Sequence, residues 1–520
     1  MQIHSNIDPT KYYLGLSAGF HDAGATLIDN FGNILFAGHA ERYSGIKNDA
    51  NLNQQLIDDT LSYGKPNNIA WYENHWLKRT RQLYSGEWRK AIDLSTLPSK
   101  LVQPFFKQRG LMPPKKIPLN SYSHHLCHAA AGFQTSNFET AKVIVVDAIG
   151  EWNTITVWDA YYEPREFATN PETRGKGRAQ YRKLWSRSYP HSIGLYYSAV
   201  TKYVGLKPME DEYILMGMAA YGKSYLSAYE ENLKLVNDDK AITFKDNLHA
   251  GIDEDHFAGT GLNEYDVAAG AQKVTEQLLR NLFEKHCTRQ DNVVFMGGVA
   301  LNCVANSMLS GLCRNLWIMP NPGDCGSSLG AAALQYGRKL KWRGPYLGHD
   351  IGGEYPVDAV IGELMSNKIV GVASGRAEFG PRALGTRSLL ADPRGEDIKD
   401  RVNEIKRRQK FRPFAPMVLE EHAEDIFNMH GDTNPYMQGV YTVKNPELYP
   451  AVVHKDGTAR VQTVGKNDHP GVRELLEKWY FLTGCPLLLN TSLNIKGEPM
   501  VNIRADADRF EKRYGVTVCS

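Results

Sequence analysis

The first third of the chain contains two strand–turn–strand units in which apolar stretches alternate with short polar turns. The first unit, YYLGLSAGF, HDAG and ATLIDNFGNILFAG, occupies residues 12–38, and its DNFGN segment is typical of a hairpin turn. The second unit, AKVIVVDAIGEWNTITVWDA, occupies residues 141–160 and combines a buried strand, a Gly-containing turn and an alternating strand. We therefore predict a duplicated core.

Further along the chain the apolar pattern predicts two strand–loop–helix units, DNVVFMGGVALNCVANSML and NLWIMPNPGDCGSSLGAAALQYG. Strands that alternate with helices indicate an α/β fold. KWRGPYLGHDIGGEYP, residues 341–356, has neither a helical nor a strand period, and we predict a linker there. The expected organisation is a larger domain at 1–345 and a smaller α/β domain at 346–520, with strands in KIVGVASG, RVQTV and CPLLLNTSLN.

Composition narrows the class of protein but not its partners. A length of 520 residues favours two domains, and 42% hydrophobic with 23% charged residues is typical of a globular protein. No apolar run approaches the roughly 20 residues of a membrane helix, and the start has no signal-peptide pattern. Seven scattered cysteines without a CxxC pair indicate a reduced, cytoplasmic protein.

Two basic segments stand out against a formal net charge of only +2. The first covers residues 78–116, and the second lies within 165–190, where Tyr181 and Trp185 alternate with cations. Both look like insertions into the larger domain. Cationic grooves with aromatic rings suit nucleic acids, while a solvated basic surface explains the same pattern without any partner.

The segment SYSHHLCHAA, residues 121–130, predicts a metal site. On a helix, His124 and His128 lie one turn apart with Cβ atoms roughly 5–6 Å from each other, and His125 faces elsewhere. Two partly buried histidines without a metal are the alternative. Asp147, at the end of VIVVD, and Asp324, at the opening of a helix, complete a set suited to divalent iron, manganese or zinc.

Glycine-rich turns predict contacts with phosphate groups. Gly297 and Gly298 lie in one such loop, and NPGDCG contains a second. Asn302 and Asn306 follow the first loop with a spacing of four, so both amides can face one ligand. Tight turns without a ligand, and an N-cap role for Asn302, remain open.

Arginine-rich sequence in the smaller domain predicts an anionic, phosphorylated ligand, because the guanidinium group matches phosphate bidentately. The candidate side chains are Arg376, Arg382, Arg387, Lys406, Arg412, Asn490, Ser492 and Asn494. A solvated basic helix end is the alternative for the lysine and arginine run at 406–412. In the first hairpin turn, His21 is either a general base or a turn histidine bonded to Asp22.

These stretches together resemble the O-carbamoyltransferase family, which carbamoylates hydroxyl groups in antibiotic and nodulation-factor synthesis. The metal set is also similar to that of the threonylcarbamoyl transferases. The matching pieces run in family order from residue 13 to about 503 and are GFHDAGATL, AERYSGIK, SHHLCHAA, VDAIGEW, LMGMAAYG, GGVALNCVAN, NPGDCGSSLGAA, FGPRALGTRSLLADPR, KFRPFAPMVLEE, HKDGTARVQTV and LLNTSLNIKGEP.

The resemblance implies an actin/hexokinase-like (ASKHA) duplicated domain and a smaller YrdC-like domain that forms carbamoyl-adenylate from carbamoyl phosphate and ATP, with Mg²⁺ accompanying ATP. The larger domain would carry a divalent metal, with Fe²⁺ favoured and Mn²⁺ or Zn²⁺ as alternatives, and would pass the carbamoyl group to an acceptor hydroxyl. The residues that the resemblance assigns to the metal are His124, His128, Asp147 and Asp324.

The resemblance assigns His21 as the acceptor-side base and matches Lys47 to a family lysine. The residues that it gives to carbamoyl phosphate and nucleotide are Arg382, Arg387, Lys406, Arg412, Asn490 and Ser492. Two departures are visible. Tyr213 and Ile214 replace a family Gly-Lys pair, which removes a lysine contact, and the chain ends soon after VNIRADADRF, so we expect a trimmed last helix.

The acceptor is the open part of the prediction. We favour a hydroxymethylated base in DNA, recruited by the basic segments and flipped into the site. A sugar, a nucleotide or a natural-product alcohol is the alternative acceptor. A kinase or ATPase of the same fold is the alternative class of enzyme. A binding module without catalysis is the third hypothesis. The sequence is compatible with a homodimer.

Overall fold

The first part of the chain builds two five-stranded sheets with the same strand order. The computed structural model describes residues 11–108, 117–163, 177–410 and 412–520. The strands of this part are β1 (Tyr12–Ser17), β2 (Gly24–Asp29), β3 (Ile34–His39), β4 (Asn68–Trp71), β5 (Leu119–Ser121), β6 (Thr140–Gly150), β7 (Asn153–Tyr162), β8 (Ala179–Ser188), β9 (Val236–Asp238), β10 (Thr243–Phe244), β11 (Asn292–Met296) and β12 (Asn315–Trp317).

One sheet has the order β3-β2-β1-β4-β5 and the other has the order β8-β7-β6-β11-β12. In each sheet the first three strands pair antiparallel and the last two join in parallel. Both strand–turn–strand units therefore occupy equivalent places. The predicted duplicated α/β core is confirmed.

The helices of this part connect the parallel strands and cover the sheets. They are α1 (Glu41–Ser44), α2 (Gln54–Ser62), α3 (His75–Tyr84), α4 (Trp88–Ile92), α5 (Pro98–Gln108), α6 (His124–Thr135), α7 (Ile193–Tyr203), α8 (Glu212–Ala219), α9 (Tyr225–Leu233), α10 (Glu264–His286), α11 (Cys303–Leu309) and α12 (Ser327–Tyr336). Helices α6 and α12 pack against each other in the apolar interior, where Ala129, Ala130, Leu329 and Ala332 are fully buried.

The prediction of a second basic insertion is wrong for its described part. Residues 179–188 form β8, an edge strand that pairs with β7 along its length. The sequence of β8 does not show the alternation of apolar and polar residues that predicts a strand. It carries exposed cations instead, because an edge strand buries few side chains. Within the first basic segment the described residues form α3, α4 and α5. Residues 109–116 and 164–176, which include several of the predicted cations, lie outside the described part.

The remaining part of the chain is built on a six-stranded mixed sheet with the order β20-β17-β21-β16-β14-β22. The elements of this part are β13 (Tyr346–Asp350), α13 (Val357–Asn367), β14 (Ile369–Ala373), β15 (Arg376–Glu378), β16 (Arg387–Ala391), α14 (Ile398–Ile405), β17 (Ala415–Leu419), α15 (Glu420–Ile426), β18 (Tyr441–Thr442), β19 (Thr458–Ala459), β20 (Gln462–Val464), α16 (Pro470–Thr483), β21 (Leu487–Ser492), α17 (Arg504–Tyr514) and β22 (Val518–Cys519). Its apolar core is separate from those of the two five-stranded sheets.

The segment predicted as a linker contains a strand. β13 pairs antiparallel with β15, so residues 346–350 are ordered against the smaller domain. Hydrogen bonds join the smaller domain to α1 and to the first sheet. Arg42 of α1 donates to the carbonyl of Gly380 at 2.8 Å, and Arg376 donates to the carbonyl of Leu35 in β3 at 2.6 Å. Across the described ranges, no helix is both long and apolar enough to cross a bilayer.

Candidate active site

Four side chains predicted as metal ligands converge at the start of α6. His124 and His128 are buried on one face of the helix, with their Nε2 atoms 3.0 Å apart. Asp147 approaches from β6, with Oδ2 3.0 Å from His124 Nε2, and Asp324 approaches from the turn before α12, with Oδ1 3.3 Å from both imidazoles. One ligand atom from each of the four lies within 4.8 Å of the others.

Local backbone features hold these groups in place. Gly150 provides the room for His124, because a Cβ at Gly150 would lie 2.3 Å from the imidazole ring. The amide of Gly298 donates to Asp147 Oδ1 at 3.1 Å. His125 points away from the cluster and lies with Nδ1 3.0 Å from Thr156 Oγ1, as the helical spacing predicts.

The charges of the cluster fit a bound cation. Burial alone would raise the pKa of Asp147, but His124 and His128 hold that pKa well below its usual range. Asp324 Oδ1 is buried and accepts no hydrogen bond from the described residues. Two imidazoles and two ionised carboxylates that share one small volume are a donor set suited to a divalent transition metal.

His21 lies beside the cluster, with Nε2 3.7 Å from Asp324 Oδ2 and Nδ1 3.1 Å from Asp22 Oδ2. Burial alone would lower its pKa, but Asp324 and Asp22 outweigh burial and raise the pKa to about 9. Both interpretations of this histidine are thus compatible with its position, because the contact with Asp22 orients a ring that also reaches the cluster.

A single large chamber, with a volume of about 670 Å³, opens from this cluster. His21, Asp147 and Asp324 line one end, which we call the metal-ligand end. At the other end, the cationic end, the lining includes Arg382, Lys406, Arg408, Arg412 and Arg460. Larger and smaller domains both contribute to the wall, so the chamber joins the two predicted sites.

The cationic end has little internal neutralisation. Burial, together with Arg460 and Arg412, lowers the pKa of Arg382 to about 9, and burial with Arg412 and Arg460 also lowers the pKa of Arg408. None of the described carboxylates forms an ion pair with these four arginines. Unpaired buried cations are costly, which favours the binding of an anion here.

Lys406, Asn490 and Ser492 line the same end. Lys406 Nζ donates to Asn494 Oδ1 at 2.8 Å and lies 3.2 Å from Ser492 Oγ. Burial, with Arg408 and Arg412 next in effect, holds the pKa of Lys406 well below its usual range. Asn490 Nδ2 donates to Gln462 Oε1 at 2.8 Å. These groups form the floor of the cationic end.

Four predicted binding residues do not line the chamber, and we correct those predictions. They are Arg376, Arg387, Gly297 and Asn306. Arg387 is fully buried and its guanidinium donates to five backbone carbonyls, those of Asn502, Ser374, Thr386, His349 and Gly375. Arg376 donates to the carbonyls of Leu35, Leu347 and Gly348. All five N–H groups of Arg387 are therefore used by backbone carbonyls, and Arg376 is also bonded to the backbone away from the chamber.

Of the four residues predicted to bind phosphate in and after the first glycine-rich loop, two line the chamber and two do not. Gly297 does not line the chamber, and its φ of +93° forms a tight turn against β6. Asn306 donates to the carbonyls of Ala300 and Gln438 and also lies off the chamber. Gly298 and Asn302 do line it. Asn302 is in addition the N-cap of α11, accepting from the amide of Ala305 at 3.1 Å.

The remaining predicted residues fall on the chamber wall. Lys47 lines it, with Nζ 3.3 Å from Glu41 Oε2. Tyr213, one of the two residues that replace the family Gly-Lys pair, places its ring 4.8 Å from the guanidinium of Arg412. Ile214 is buried in the apolar core. Arg408 and Arg460 lie in basic motifs that the sequence associates with an anionic ligand, and both line the chamber although neither is singled out as a binding residue.

Comparison with known proteins identifies the family. The sequence pattern described as "Carbamoyltransferase N-terminus" matches residues 12–333, and "Carbamoyltransferase C-terminus" matches residues 361–519. The chain belongs to the carbamoyltransferase family. The predicted resemblance is confirmed, and the protein is a carbamoyltransferase enzyme.

Several relatives support this assignment across most of the carbamoyltransferase chain. "Nodulation protein NolNO" of Sinorhizobium fredii is 31% identical over 94% of this chain and 76% of its own length. "Nodulation protein NolO" of Bradyrhizobium diazoefficiens is 32% identical over 74% of this chain and 75% of its own. "Uncharacterized protein sll1178" of Synechocystis sp. is 32% identical, covering 96% of this chain and 94% of that protein.

Proposed function

We propose that this carbamoyltransferase uses ATP and carbamoyl phosphate to form carbamoyl-adenylate at the cationic end and transfers the carbamoyl group to an alcohol at the metal-ligand end. The observation that carries the proposal is the single chamber of about 670 Å³ that is lined by both groups of side chains. An adenylate formed at one end reaches the other without leaving the protein.

In the first half-reaction, carbamoyl phosphate gives up its phosphate to water and leaves carbamate. A carbamate oxygen then attacks the α-phosphorus of ATP, supplied as its Mg²⁺ complex, and pyrophosphate leaves. Arg382, Lys406 and Arg412 are the residues that we propose to hold these phosphates, because fixed cations stabilise charge that develops on phosphoryl oxygens. Four anionic phosphate groups would supply the negative charge that the described carboxylates do not provide there.

In the second half-reaction, the acceptor hydroxyl attacks the carbamoyl carbon and AMP leaves. His124, His128, Asp147 and Asp324 would hold a divalent ion, for which we propose Fe²⁺ with Mn²⁺ or Zn²⁺ as alternatives, and which would supply Lewis-acid polarisation of a phosphate or carbonyl oxygen. We propose that His21 takes the hydroxyl proton. Among the neighbours of His21, Asp324 raises its pKa the most. If Asp324 binds the metal, its negative charge is balanced by the ion, and the pKa of His21 falls. A lower pKa favours the neutral imidazole that a general base requires.

Among acceptors, a small-molecule alcohol fits the structure better than DNA. The aromatic rings proposed to stack on bases are already packed, since Tyr181 donates to Gln134 Oε1 at 2.9 Å and Trp185 lies between the cations of Arg187 and Lys285. Arg182 pairs with Asp159. The described part of the second basic segment therefore offers no free stacking platform of the kind that single-stranded binding uses.

Pyrophosphate release tests the proposed chemistry directly. With ATP, Mg²⁺ and carbamoyl phosphate present, the protein should release pyrophosphate, and omission of carbamoyl phosphate should stop the release. Appearance of ADP in place of pyrophosphate would instead indicate the kinase or ATPase alternative. Mass spectrometry of candidate acceptors, including DNA, then shows which of them gains one carbamoyl group.

A further inference from the structure

The segment that carries Arg382 has no regular secondary structure. It covers residues 379–386 and connects β15 to β16, and we call it the Arg382 loop. Arg382 lines the chamber, whereas the backbone that follows it at Ala383, Leu384 and Gly385 is buried. Buried backbone N–H and C=O groups need hydrogen-bond partners, and an irregular loop does not obtain them from a regular ladder. Side chains are therefore the expected partners.

Glu378 is the partner of the loop amides. It is the last residue of β15, is 1% exposed and does not line the chamber. Its Oε1 accepts from the amides of Leu384 at 2.8 Å, Thr386 at 2.9 Å and Arg387 at 3.2 Å. One carboxylate oxygen thus draws the second half of the loop back toward the strand from which the loop starts.

Other side chains hold the carbonyls of the loop. The donors and the residues whose carbonyls accept are Arg42 to Gly380 at 2.8 Å, Asn490 to Ala383 at 3.1 Å, Tyr346 to Leu384 at 3.0 Å and Tyr355 to Gly385 at 2.9 Å. These donors come from both domains. The backbone on either side of Arg382 is therefore fixed by hydrogen bonds.

The carboxylate also acts on the loop through a second residue. Burial lowers the pKa of Arg387 to about 10, and Glu378 acts in the opposite direction. Arg387 in turn donates from Nη1 to the carbonyl of Thr386 at 2.9 Å. Glu378 therefore supports the loop directly, through its amides, and indirectly, through the guanidinium of Arg387.

The physical consequence of these contacts is a preorganised cation. A guanidinium whose backbone is fixed occupies the same place before and after a ligand binds, so little binding free energy is lost to ordering of the loop. Arg382 is one of the residues assigned above to the phosphates. A displacement of about 1 Å caused by a substitution away from the reacting atoms can reduce a rate by about 100-fold.

We propose that Glu378 is a positioning residue for the phosphate chemistry, which acts through Arg382 and does not touch the substrates. The proposal rests on the proposed function, because it assigns to Glu378 a role in the half-reaction at the cationic end. The carboxylate binds three backbone amides in and just after the loop. The loop keeps one backbone arrangement, and the guanidinium of Arg382 faces the chamber.

A double-mutant cycle tests this role, because the effects of two residues that act through one another are not additive. Glu378→Ala removes the acceptor and should reduce carbamoyl-phosphate-dependent pyrophosphate release about tenfold or more. Glu378→Gln keeps a neutral acceptor and should restore part of the rate. Arg382→Gln combined with Glu378→Ala should be as slow as Arg382→Gln alone, within about twofold.

Glu424→Ala is the matched control. Glu424 also accepts from a loop amide of the smaller domain, that of Gly431 at 2.6 Å, but it does not line the chamber or contact the Arg382 loop. This variant should release pyrophosphate like the unchanged protein, and it should not change the rate of Arg382→Gln.

Two outcomes would overturn the proposal. In the first, the effects of Glu378→Ala and Arg382→Gln multiply, which means that Glu378 acts independently of Arg382. In the second, Glu378→Ala lowers the midpoint of thermal unfolding but leaves release by the folded protein unchanged, as expected for a residue that only stabilises the fold. If Glu378→Ala does not fold, Glu378→Gln takes its place in the cycle with the same two criteria.

ATP binding keeps this test separate from the proposed function. Calorimetry with ATP and Mg²⁺ measures the same cycle as dissociation constants, without any chemical step. If the unchanged protein binds ATP but releases no pyrophosphate, the proposed function fails, while non-additive binding still supports the role of Glu378. If release is normal and the effects multiply, only the role of Glu378 fails. Absence of both binding and release would overturn both.

Discussion

The two ends of the chamber are both buried and both charged, but they differ in whether opposite charges lie beside each other. At the metal-ligand end, two histidines and His21 lie within 3.7 Å of two aspartates, so positive and negative groups are present together. At the cationic end, four arginines line the wall and none has an ion-pair partner among the described carboxylates. The side chains of the metal-ligand end are suited to bind a cation, and those of the cationic end are suited to bind anions.

The two ends are formed by different domains of the chain. The metal-ligand end belongs to β6, α6 and the turn before α12, which are regular elements of the duplicated core. The cationic end is formed largely by the loops of the smaller domain that carry Arg382, Lys406, Arg408, Arg412 and Arg460. Because the two groups come from separate parts of the chain, substitutions at one end should affect one half-reaction and spare the other.

The largest expected effect is at the metal-ligand end. His128→Ala removes one of four converging ligands, and the loss of carbamoyl transfer should exceed about 100-fold, since loss of a partner outside the ligand set already costs about 10- to 100-fold. Pyrophosphate release should remain within about threefold of the unchanged protein. Product mass spectrometry, pyrophosphate assays and metal content of the purified protein measure the three quantities.

His125→Gln is the matched control, because His125 is the neighbouring buried histidine and faces Thr156 instead of the cluster. It should retain the metal. Parallel loss of both half-reactions in His128→Ala would show that the two ends do not work separately.

The opposite pattern is expected at the cationic end. Arg382→Gln should reduce carbamoyl-phosphate-dependent pyrophosphate release by about 10- to 100-fold, because it removes charge-assisted hydrogen bonds to phosphate worth roughly 1.5–3 kcal/mol. Transfer from externally supplied carbamoyl-adenylate should fall less. Arg401→Gln, on the exposed face of α14, removes the same charge outside the chamber and should leave both rates unchanged.

The contrast between the ends also explains how much could be predicted from sequence. The i,i+4 spacing of His124 and His128 fixes both side chains on one helical face, so their convergence follows from local geometry. Strand ends and helix starts likewise position Asp147 and Asp324. The duplicated sheets were predictable from the two strand–turn–strand units for the same reason.

The arginines of the smaller domain follow no such local rule. Arg376 and Arg387 resembled Arg382 in the sequence, yet both donate to backbone carbonyls, while Arg408 and Arg460 reach the chamber. Whether a long side chain turns toward a cavity or a carbonyl depends on distant packing. β8 was missed because an edge strand with exposed cations has a weak apolar period.

A neutral histidine on the chamber wall makes stability depend on pH. Burial, with Arg42 adding to it, lowers the pKa of His39 to about 3, and Asn321 Nδ2 donates to its Nε2 at 3.1 Å. In the unfolded chain the pKa is about 6.5, so below that pH the unfolded state takes up a proton that the folded state does not. Stability should therefore fall as the pH falls from 6.5 toward 3.

His39→Gln keeps a hydrogen-bond acceptor and removes this titration. Between pH 6.5 and pH 5 the unchanged protein should lose about 1.7 kcal/mol of unfolding free energy that the variant retains. Urea unfolding at both pH values measures the difference. His430→Gln, at an exposed position, should behave like the unchanged protein; an equal acid response in His39→Gln would show that His39 is not the group responsible.

The smallest effect concerns the ring that contacts the cationic end. Tyr213 is 38% exposed and lies 4.8 Å from the guanidinium of Arg412, a cation–π contact worth about 0.5–1 kcal/mol at such a site. Tyr213→Ala should raise the KM for ATP about two- to fivefold in the pyrophosphate assay, whereas Tyr213→Phe should not. Because Tyr213 stands in place of a family residue, an unchanged KM in both variants would mean that Arg412 is positioned by other contacts, and that the cationic end tolerates variation at this wall.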